Sequence, residues 1–409
     1  MSDSKLGMAA SAAILVFIRI WSFWRFAVLG RIKGLIAVVT LLLTVIPTYA
    51  EVVPEVTFTG GYTDNLFNDS SSLDDTYTAV SPYLKIYPSA TTEITLSGSY
   101  AAYSDHGDLS NLSGRAGLTV IPHLKNSDLH LMFSAGIGGR GYGDLYKVYN
   151  NWGGNIKALF SYVATDGVIF RGGGSANFSE YNNSISGDND GIDFLIGLNA
   201  TPFGSNSINI EAGYGFHRYV TEFEVVETGR GQNSMSSLEG IKNNFQMANL
   251  SVRYSRPLGD RTGLSATLSR RLFVEQADSV VYGFSVDYLS PWTSMWEGAS
   301  FGARIKHFPG LDFIVETGFA YTDKEYIQSL DIIIVPDPDN PDGVVEDYVL
   351  NQRNDERTSL YVQVQRPFST SSRLMIRPSI QIRWIDNQST DLRYDYSYPD
   401  VQLGVIVRF

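Results

Sequence analysis

Apolar and polar residues alternate along most of the chain after residue 50, in segments of about 10–15 residues. One apolar face consists of Val56, Phe58, Gly60 and Tyr62. Successive side chains of a β-strand point to opposite faces, so this period of two predicts strands with one apolar and one polar or small face. Helical periodicity is hard to find in the same region. The pattern therefore predicts an all-β fold.

The segments between these strands alternate between short and long. Ala164–Gly167 and Pro257–Arg261 are short, whereas Val220–Asn243 and Ile327–Asp355 are long. Short turns at one end and long loops at the other are typical of barrels that span the bacterial outer membrane. A soluble sandwich also alternates, but it does not need so many long strands in one uninterrupted architecture. We predict a transmembrane antiparallel β-barrel, closed because an open edge in lipid would leave backbone groups unpaired.

The strand count is about 16, and it should be even if both termini lie on the periplasmic side. The stretch from Val280 to Phe308 is ambiguous. Tyr282–Leu289 and Phe301–His307 each have the pattern of a strand. If both cross the membrane, another crossing is needed and the total becomes 18.

The last nine residues form a strand with one apolar face that runs to the C-terminus. That face consists of Val401, Leu403, Val405, Val407 and Phe409. Ile406 is the one apolar residue on the opposite face, which also carries Arg408. The pattern resembles the C-terminal strand signature of outer-membrane barrels. That resemblance implies recognition by the β-barrel assembly machinery and a closing strand paired with the segments that begin at Val56 and at Leu374.

The N-terminal region has the features of an export signal. Arg31 and Lys33 precede an apolar run from Gly34 to Val45, and small residues lead up to Ala50. We predict a signal peptide over residues 1–50, cleaved after Ala50, followed by a barrel domain over residues 51–409. A second apolar stretch upstream, Met8 to Trp24, leaves a retained membrane helix as the alternative.

Charge and composition narrow the functional classes. The chain of 409 residues has a formal net charge of −12 and no cysteine. The predicted leader is basic, so the mature domain is more acidic still, which argues against a nucleic-acid partner. The mean hydropathy of −0.07 fits a barrel, in which apolar residues occupy only every second position. Outer-membrane lipid and lipopolysaccharide are the expected surroundings.

The charged residues on the polar faces predict what lines the barrel. If the apolar faces contact lipid, a set of cations points inward: Arg171, Arg253, Arg304, Lys306, Arg373, Arg377, Arg383 and Arg408. Glu93, Asp193, Glu211, Asp287, Asp312 and Glu316 are the acids assigned to the same side. Isolated buried charge is costly, so these groups need water or partners. An aqueous path with a cationic stripe and a wall braced by ion pairs are both compatible with the pattern.

The start of the barrel domain carries a short motif, with Tyr62, Asp64, Asn65 and Phe67 at its distinctive positions. It resembles the opening of a family of outer-membrane β-barrel porins, some of which accompany exopolysaccharide synthesis and export. The resemblance covers residues 56–112. It implies a conduit for exopolysaccharide export, with periplasmic export proteins as partners, and no catalytic residues. Asp64 and Asn65 could bond local backbone at a polar strand end or form a ligand site.

Two other functions remain open from the residues alone. The inward arginines favour a general diffusion or uptake porin for small, anionic solutes. A closed barrel with adhesive or structural loops is the third alternative.

Few residues suggest chemistry, and we predict neither an enzyme nor a cofactor. Asp105 and His106 are the only adjacent acid–histidine pair, and adjacent strand residues face opposite sides. The oxygen-rich loop Pro336–Gly343 lacks the register of a calcium-binding EF-hand. We therefore predict no metal site, with a solvated acidic hairpin tip as the favoured interpretation of this loop.

Overall fold

A computed structural model gives the structure of the chain. It describes residues 50–409 except 69, 71, 125–127, 182–187, 203, 229–234, 276–279, 282–294, 327–328, 337–343 and 370–373. The predicted signal peptide and its cleavage site therefore stay predictions, since residues 1–49 lie outside this part. In the described ranges no helix is long and apolar enough to cross a membrane.

Sixteen long strands form one closed antiparallel barrel. In chain order they are β1 Glu51–Thr63, β2 Asp75–Ser89, β3 Thr92–Tyr103, β4 Asn111–Val120, β5 Leu129–Tyr142, β6 Asn151–Thr165, β7 Val168–Tyr181, β8 Asn189–Ala200, β9 Ser207–Thr228, β10 Met235–Pro257, β11 Thr262–Glu275, β12 Trp296–Gly310, β13 Phe313–Tyr326, β14 Asn354–Gln365, β15 Met375–Ser389 and β16 Tyr396–Arg408. Each strand pairs with the next one along the chain. The predicted all-β barrel of about 16 strands is confirmed, and the alternative of 18 is not adopted.

In its described residues the ambiguous stretch contributes one barrel strand, β12. Phe301–His307 lies inside β12, while Tyr282–Leu289 falls outside the described residues. Short strands also form a separate sheet from Val280–Val281, Ser329–Pro336 and Val344–Asn351. The last two of these flank the predicted acidic hairpin tip, which itself lies in the part that is not described.

The barrel closes between its first and last strands, as predicted. β1 pairs antiparallel with β16 from Glu55 opposite Arg408 to Thr63 opposite Asp400. On its other side β16 pairs with β15. Because the ring is complete, neither strand presents an unpaired edge to lipid.

The exterior of the barrel is apolar. Large side chains from almost every strand are exposed there, including Phe58, Ile196, Leu268, Ile382 and Leu403. They belong to the alternating faces that the sequence assigned to lipid. An apolar outer face on a closed barrel is what a hydrocarbon environment requires.

One predicted loop is wrong. Val220–Asn243 was expected to be a long connection, but β9 and β10 run on through most of it, from Thr228 back to Met235. The alternation of Phe223 and Val225 with charged neighbours continues across the segment and supports strand pairing. The two strands thus rise beyond their neighbours on one side of the barrel.

Candidate functional site: the barrel lumen

The long connections gather at one end of the barrel, which we call the outer end. Loop 1 (residues 64–74), loop 2 (104–110) and loop 3 (143–150) lie there, and the shorter turns lie at the opposite end. The residues that alternate with the exposed apolar side chains line the interior. On β1 they are the odd-numbered residues from Glu55 to Thr63, and the register carries the assignment around the barrel.

The register places most of the predicted cations on this inner face. They are Arg171, Arg253, Arg304, Lys306, Arg377, Arg383 and Arg408. Arg373 and Asp287 lie outside the described residues. Asp312 was assigned to the inner face, but it sits in the tight turn between β12 and β13 with φ of 62°. A turn residue has no strand face, so the alternation does not apply to it.

Some of these cations brace the wall through ion pairs with neighbouring strands. Arg408 contacts Glu55 at 2.9 Å, and Arg383 contacts Asp400 at the same distance. Arg304 approaches Glu316 at 3.7 Å. The interpretation as ion pairs that brace the wall therefore holds for these residues.

Seven further cations that were not predicted lie on the inner face. They are Lys85, Arg115, Arg140, Lys157, Arg271, Lys324 and Arg357. The signal was present, because each occupies the parity opposite to exposed apolar residues such as Leu118 and Leu272. Lys85 pairs with Glu93 at 3.5 Å, whereas none of the other six forms an ion pair with a residue in the described part of the chain. Arg171, Arg253, Lys306 and Arg377 likewise form no ion pair with a described residue. Most inward acids other than Glu211, in contrast, contact a basic side chain.

A cationic group lies on β11, β13 and β14, towards the outer end. Arg271 and Lys324 flank Gly298 in the register, so their backbones are about 10 Å apart. Arg357 lies on the adjacent strand, opposite Thr322. The nearby carboxylate, Asp355, is already bound by Arg353 at 2.6 Å and by Ser389 at 2.7 Å. We call Arg271, Lys324 and Arg357 the cationic group.

An apolar cluster crosses the lumen at the outer end. Its buried members are Leu66, Leu109, Tyr146, Tyr149, Tyr219, Phe245 and Met295, which we call the outer cluster. Loops 1, 2 and 3 supply the first four, while the inner faces of β9 and β10 supply Tyr219 and Phe245. Tyr103 and Tyr142 pack against the cluster from β3 and β5. Loops 1 to 3 therefore fold into the barrel and narrow it.

The family-like motif belongs to this arrangement. Tyr62 stays on the outer face, whereas Asn65 is buried and Phe67 packs against the outer cluster and, edge-on, against His106. Burial raises the pKa of Asp64, and the charge of Asp74 adds to the shift. The motif thus turns loop 1 into the lumen, and a ligand at Asp64 and Asn65 stays a prediction.

Asp75 fastens loop 2 to the wall. Its fully buried carboxylate accepts hydrogen bonds from the backbone N–H groups of Ser104, Asp105 and His106, from the Ser104 hydroxyl, and from the His106 ring at 3.0 Å. The histidine singled out with Asp105 is therefore held by Asp75 instead. The described residues contain no group of three potential metal ligands.

Replacing Asp75 with alanine should release loop 2. We expect the free energy of unfolding to fall by about 2 kcal/mol, because several buried donors lose a charged acceptor. Denaturant unfolding in lipid vesicles would measure it. Asp74→Ala is the matched control, since its neighbouring carboxylate is exposed and should change stability little. Equal effects of the two substitutions would contradict the fastening role.

A polar recess lies along β3 to β7, on the part of the wall opposite the cationic group. Its volume is about 630 Å³, and its polar lining consists of Ser97, Ser99, Ser113, Arg115, Arg140, Asn151, Asn155 and Ser179. Glycines fill the positions between these residues. The lumen is therefore widened on this side.

Comparisons with known proteins show a likeness of fold alone. No protein-family model and no curated protein matches the chain. Among solved structures, OccAB1 from Acinetobacter baumannii is 10% identical, with 88% of this chain and 96% of that one covered and a TM-score of 0.46. The outer membrane protein OpdK from Pseudomonas aeruginosa is 9% identical, with 88% and 98% covered and a TM-score of 0.45. Likeness at this level does not assign a solute.

The structure itself supports a location in an outer membrane. A closed antiparallel barrel with an apolar exterior, charged interior, short turns at one end and longer loops at the other matches the requirements of a lipid bilayer. The chain is a sixteen-stranded β-barrel of the bacterial outer membrane.

Proposed function

We propose that the barrel is a passive channel for small anionic solutes. This proposal rests on the unequal pairing of the inner-face charges. Ten cations have no ion-pair partner among the described residues, whereas most inward acids have one. Such a wall attracts anions and raises their local concentration. The formal net charge of the chain is −12, so net charge alone would have suggested the opposite selectivity.

The narrowing of the lumen at the outer end supports a small solute. The outer cluster brings three loops into the lumen, and a hydrophobic constriction limits what passes. The cationic group lies next to the outer cluster. Arg271 donates to the Met247 sulfur at 2.8 Å, and Phe273, two residues further along β11, packs on the cluster. An anion that enters would thus meet uncompensated positive charge at the narrow part.

Export of an exopolysaccharide remains a prediction from the motif at residues 56–112. Unchanged surface polysaccharide after deletion of the gene would count against it. A closed adhesive barrel is the outcome that would follow if purified protein conducted no ions.

Planar-bilayer recording tests the proposal. Wild-type protein should conduct with anion selectivity, and Arg271→Gln combined with Lys324→Gln and Arg357→Gln should lower the anion-to-cation permeability ratio by roughly threefold or more. The reason is that charges lining a narrow path act within a Debye length of the permeating ion.

Arg270→Gln is the matched control, since Arg270 neighbours Arg271 on β11 but shares the outward parity of the exposed Leu268 and Leu272. It should leave selectivity unchanged. A cation-selective wild-type channel, or equal effects of the Arg270 substitution and the triple substitution, would contradict the proposal.

A further inference from the structure

The recess along β3 to β7 has a shape that its glycines impose. A Cβ at Gly138 would lie 2.8 Å from the carbonyl oxygen of Gly114, and one at Gly153 would lie 2.4 Å from that of Phe178. Both contacts are with backbone, which a side-chain movement cannot relieve. The wall is therefore kept free of side chains at these points, and the recess is a built feature of the barrel.

Two arginines line the recess. Arg115 lies opposite Gly138 in the register, and Arg140 is two residues further along the same strand. Diagonal neighbours of this kind have Cα atoms about 7–8 Å apart, so both side chains border the same recess. Arg115 donates to Asn155 Oδ1 at 2.6 Å, and Arg140 to the Tyr142 hydroxyl at 3.2 Å. Neither has a carboxylate partner in the described part of the chain.

A guanidinium carries five N–H donors, and the hydrogen bonds given above use one from each arginine. The remaining donors are suited to a carboxylate, which pairs with arginine in a bidentate manner. The rest of the polar lining consists of serine hydroxyls and asparagine amides, which bind hydroxyl groups. The lining of the recess includes no acid and no aromatic ring.

We infer that the recess is a binding site for a small carboxylate that carries several hydroxyl groups, a sugar acid. One guanidinium group binds the carboxylate, and the other, together with the serine and asparagine side chains, binds the hydroxyls. This inference rests on the proposed anion channel and names the class of solute that binds in it. An aliphatic acid can bind only the arginines, and a neutral sugar can bind only the hydroxyl-binding side chains.

Sodium gluconate is the probe, with sodium propionate and glucose as comparators. In planar bilayers gluconate should block the wild-type ion current in a saturable manner. Arg115→Gln or Arg140→Gln should raise the half-blocking concentration about tenfold, the effect of losing one charged hydrogen-bonding partner. Arg270→Gln, which removes a cation from the outward face of β11, should not change it. Propionate and glucose should each bind at least about tenfold more weakly than gluconate, by the same reasoning.

The outcomes separate the two proposals. An anion-selective channel in which gluconate binds no better than propionate, or in which the recess arginines have no effect, overturns the site and leaves the channel intact. Absence of conductance overturns the channel, and calorimetric titration of the detergent-solubilised barrel with gluconate then decides the site. Calorimetric binding that the Arg115 substitution weakens supports the site, and no heat of binding overturns it.

Discussion

Removing the side chains of Leu109 and Tyr149 should open the channel. Both are about 1% exposed and lie at the centre of the outer cluster, although they belong to loops 2 and 3 and not to the wall. Truncating both to alanine removes an apolar contact between the loops and the inner faces of β9 and β10. We expect single-channel conductance to rise by roughly two- to fivefold, because a hydrophobic constriction excludes water and ions.

The barrel should survive this change. Truncations of buried leucine or tyrosine cost about 2–5 kcal/mol each, but the wall is held by backbone pairing around a complete ring. Heat-dependent mobility on denaturing gels would confirm that the variant is folded. Leu145→Ala is the matched control, since Leu145 lies in loop 3 beside Tyr146 but is 70% exposed. If conductance stays at the wild-type level in the double variant, the outer cluster is not the narrow point.

Deleting Phe409 should nearly abolish insertion of the protein into the outer membrane. Phe409 ends the strand whose outward face is Val401, Leu403, Val405 and Val407, and its resemblance to the assembly signature implies that this face is read before the barrel closes. We expect the amount of assembled barrel to fall roughly tenfold, because unassembled chains are removed by proteases. Membrane fractionation and immunoblotting would measure it.

The folded structure gives this prediction a sharp control. Phe409 is 59% exposed, and its backbone N–H donates to the Pro54 carbonyl at 3.1 Å. Little packing is lost with it, so the truncated chain should refold into detergent as well as wild type does. Phe409→Tyr keeps an aromatic end and should assemble normally. Normal insertion of the truncated chain in cells would contradict recognition of this residue.

The outward and inward faces of the barrel were predictable because they depend on local alternation. Phe58 and Leu403 were assigned to lipid from parity, and both are exposed on the exterior. Arg115 and Arg357 obey the same rule and could have been found in this way. Asp312 shows where the rule stops, since a turn residue with positive φ belongs to neither face.

The candidate site was less predictable because its parts come from distant segments. Nothing in loops 1 to 3 marks Leu66, Leu109 and Tyr149 as neighbours, and Asp75 is about thirty residues from the donors that it binds. The pairing of Arg383 with Asp400 and the lack of a described ion-pair partner for Arg115 likewise follow from the register.

The sequence by itself therefore determined the barrel, its approximate strand number, its lipid face and its closing strand. A period of two fixes all of these, because each strand must bury or expose whole faces in lipid. Only the tertiary structure decided which loops enter the lumen, which inward charges are neutralised and where the wall is recessed. Those features depend on contacts between strands and loops far apart in the chain, and local alternation carries no information about such contacts.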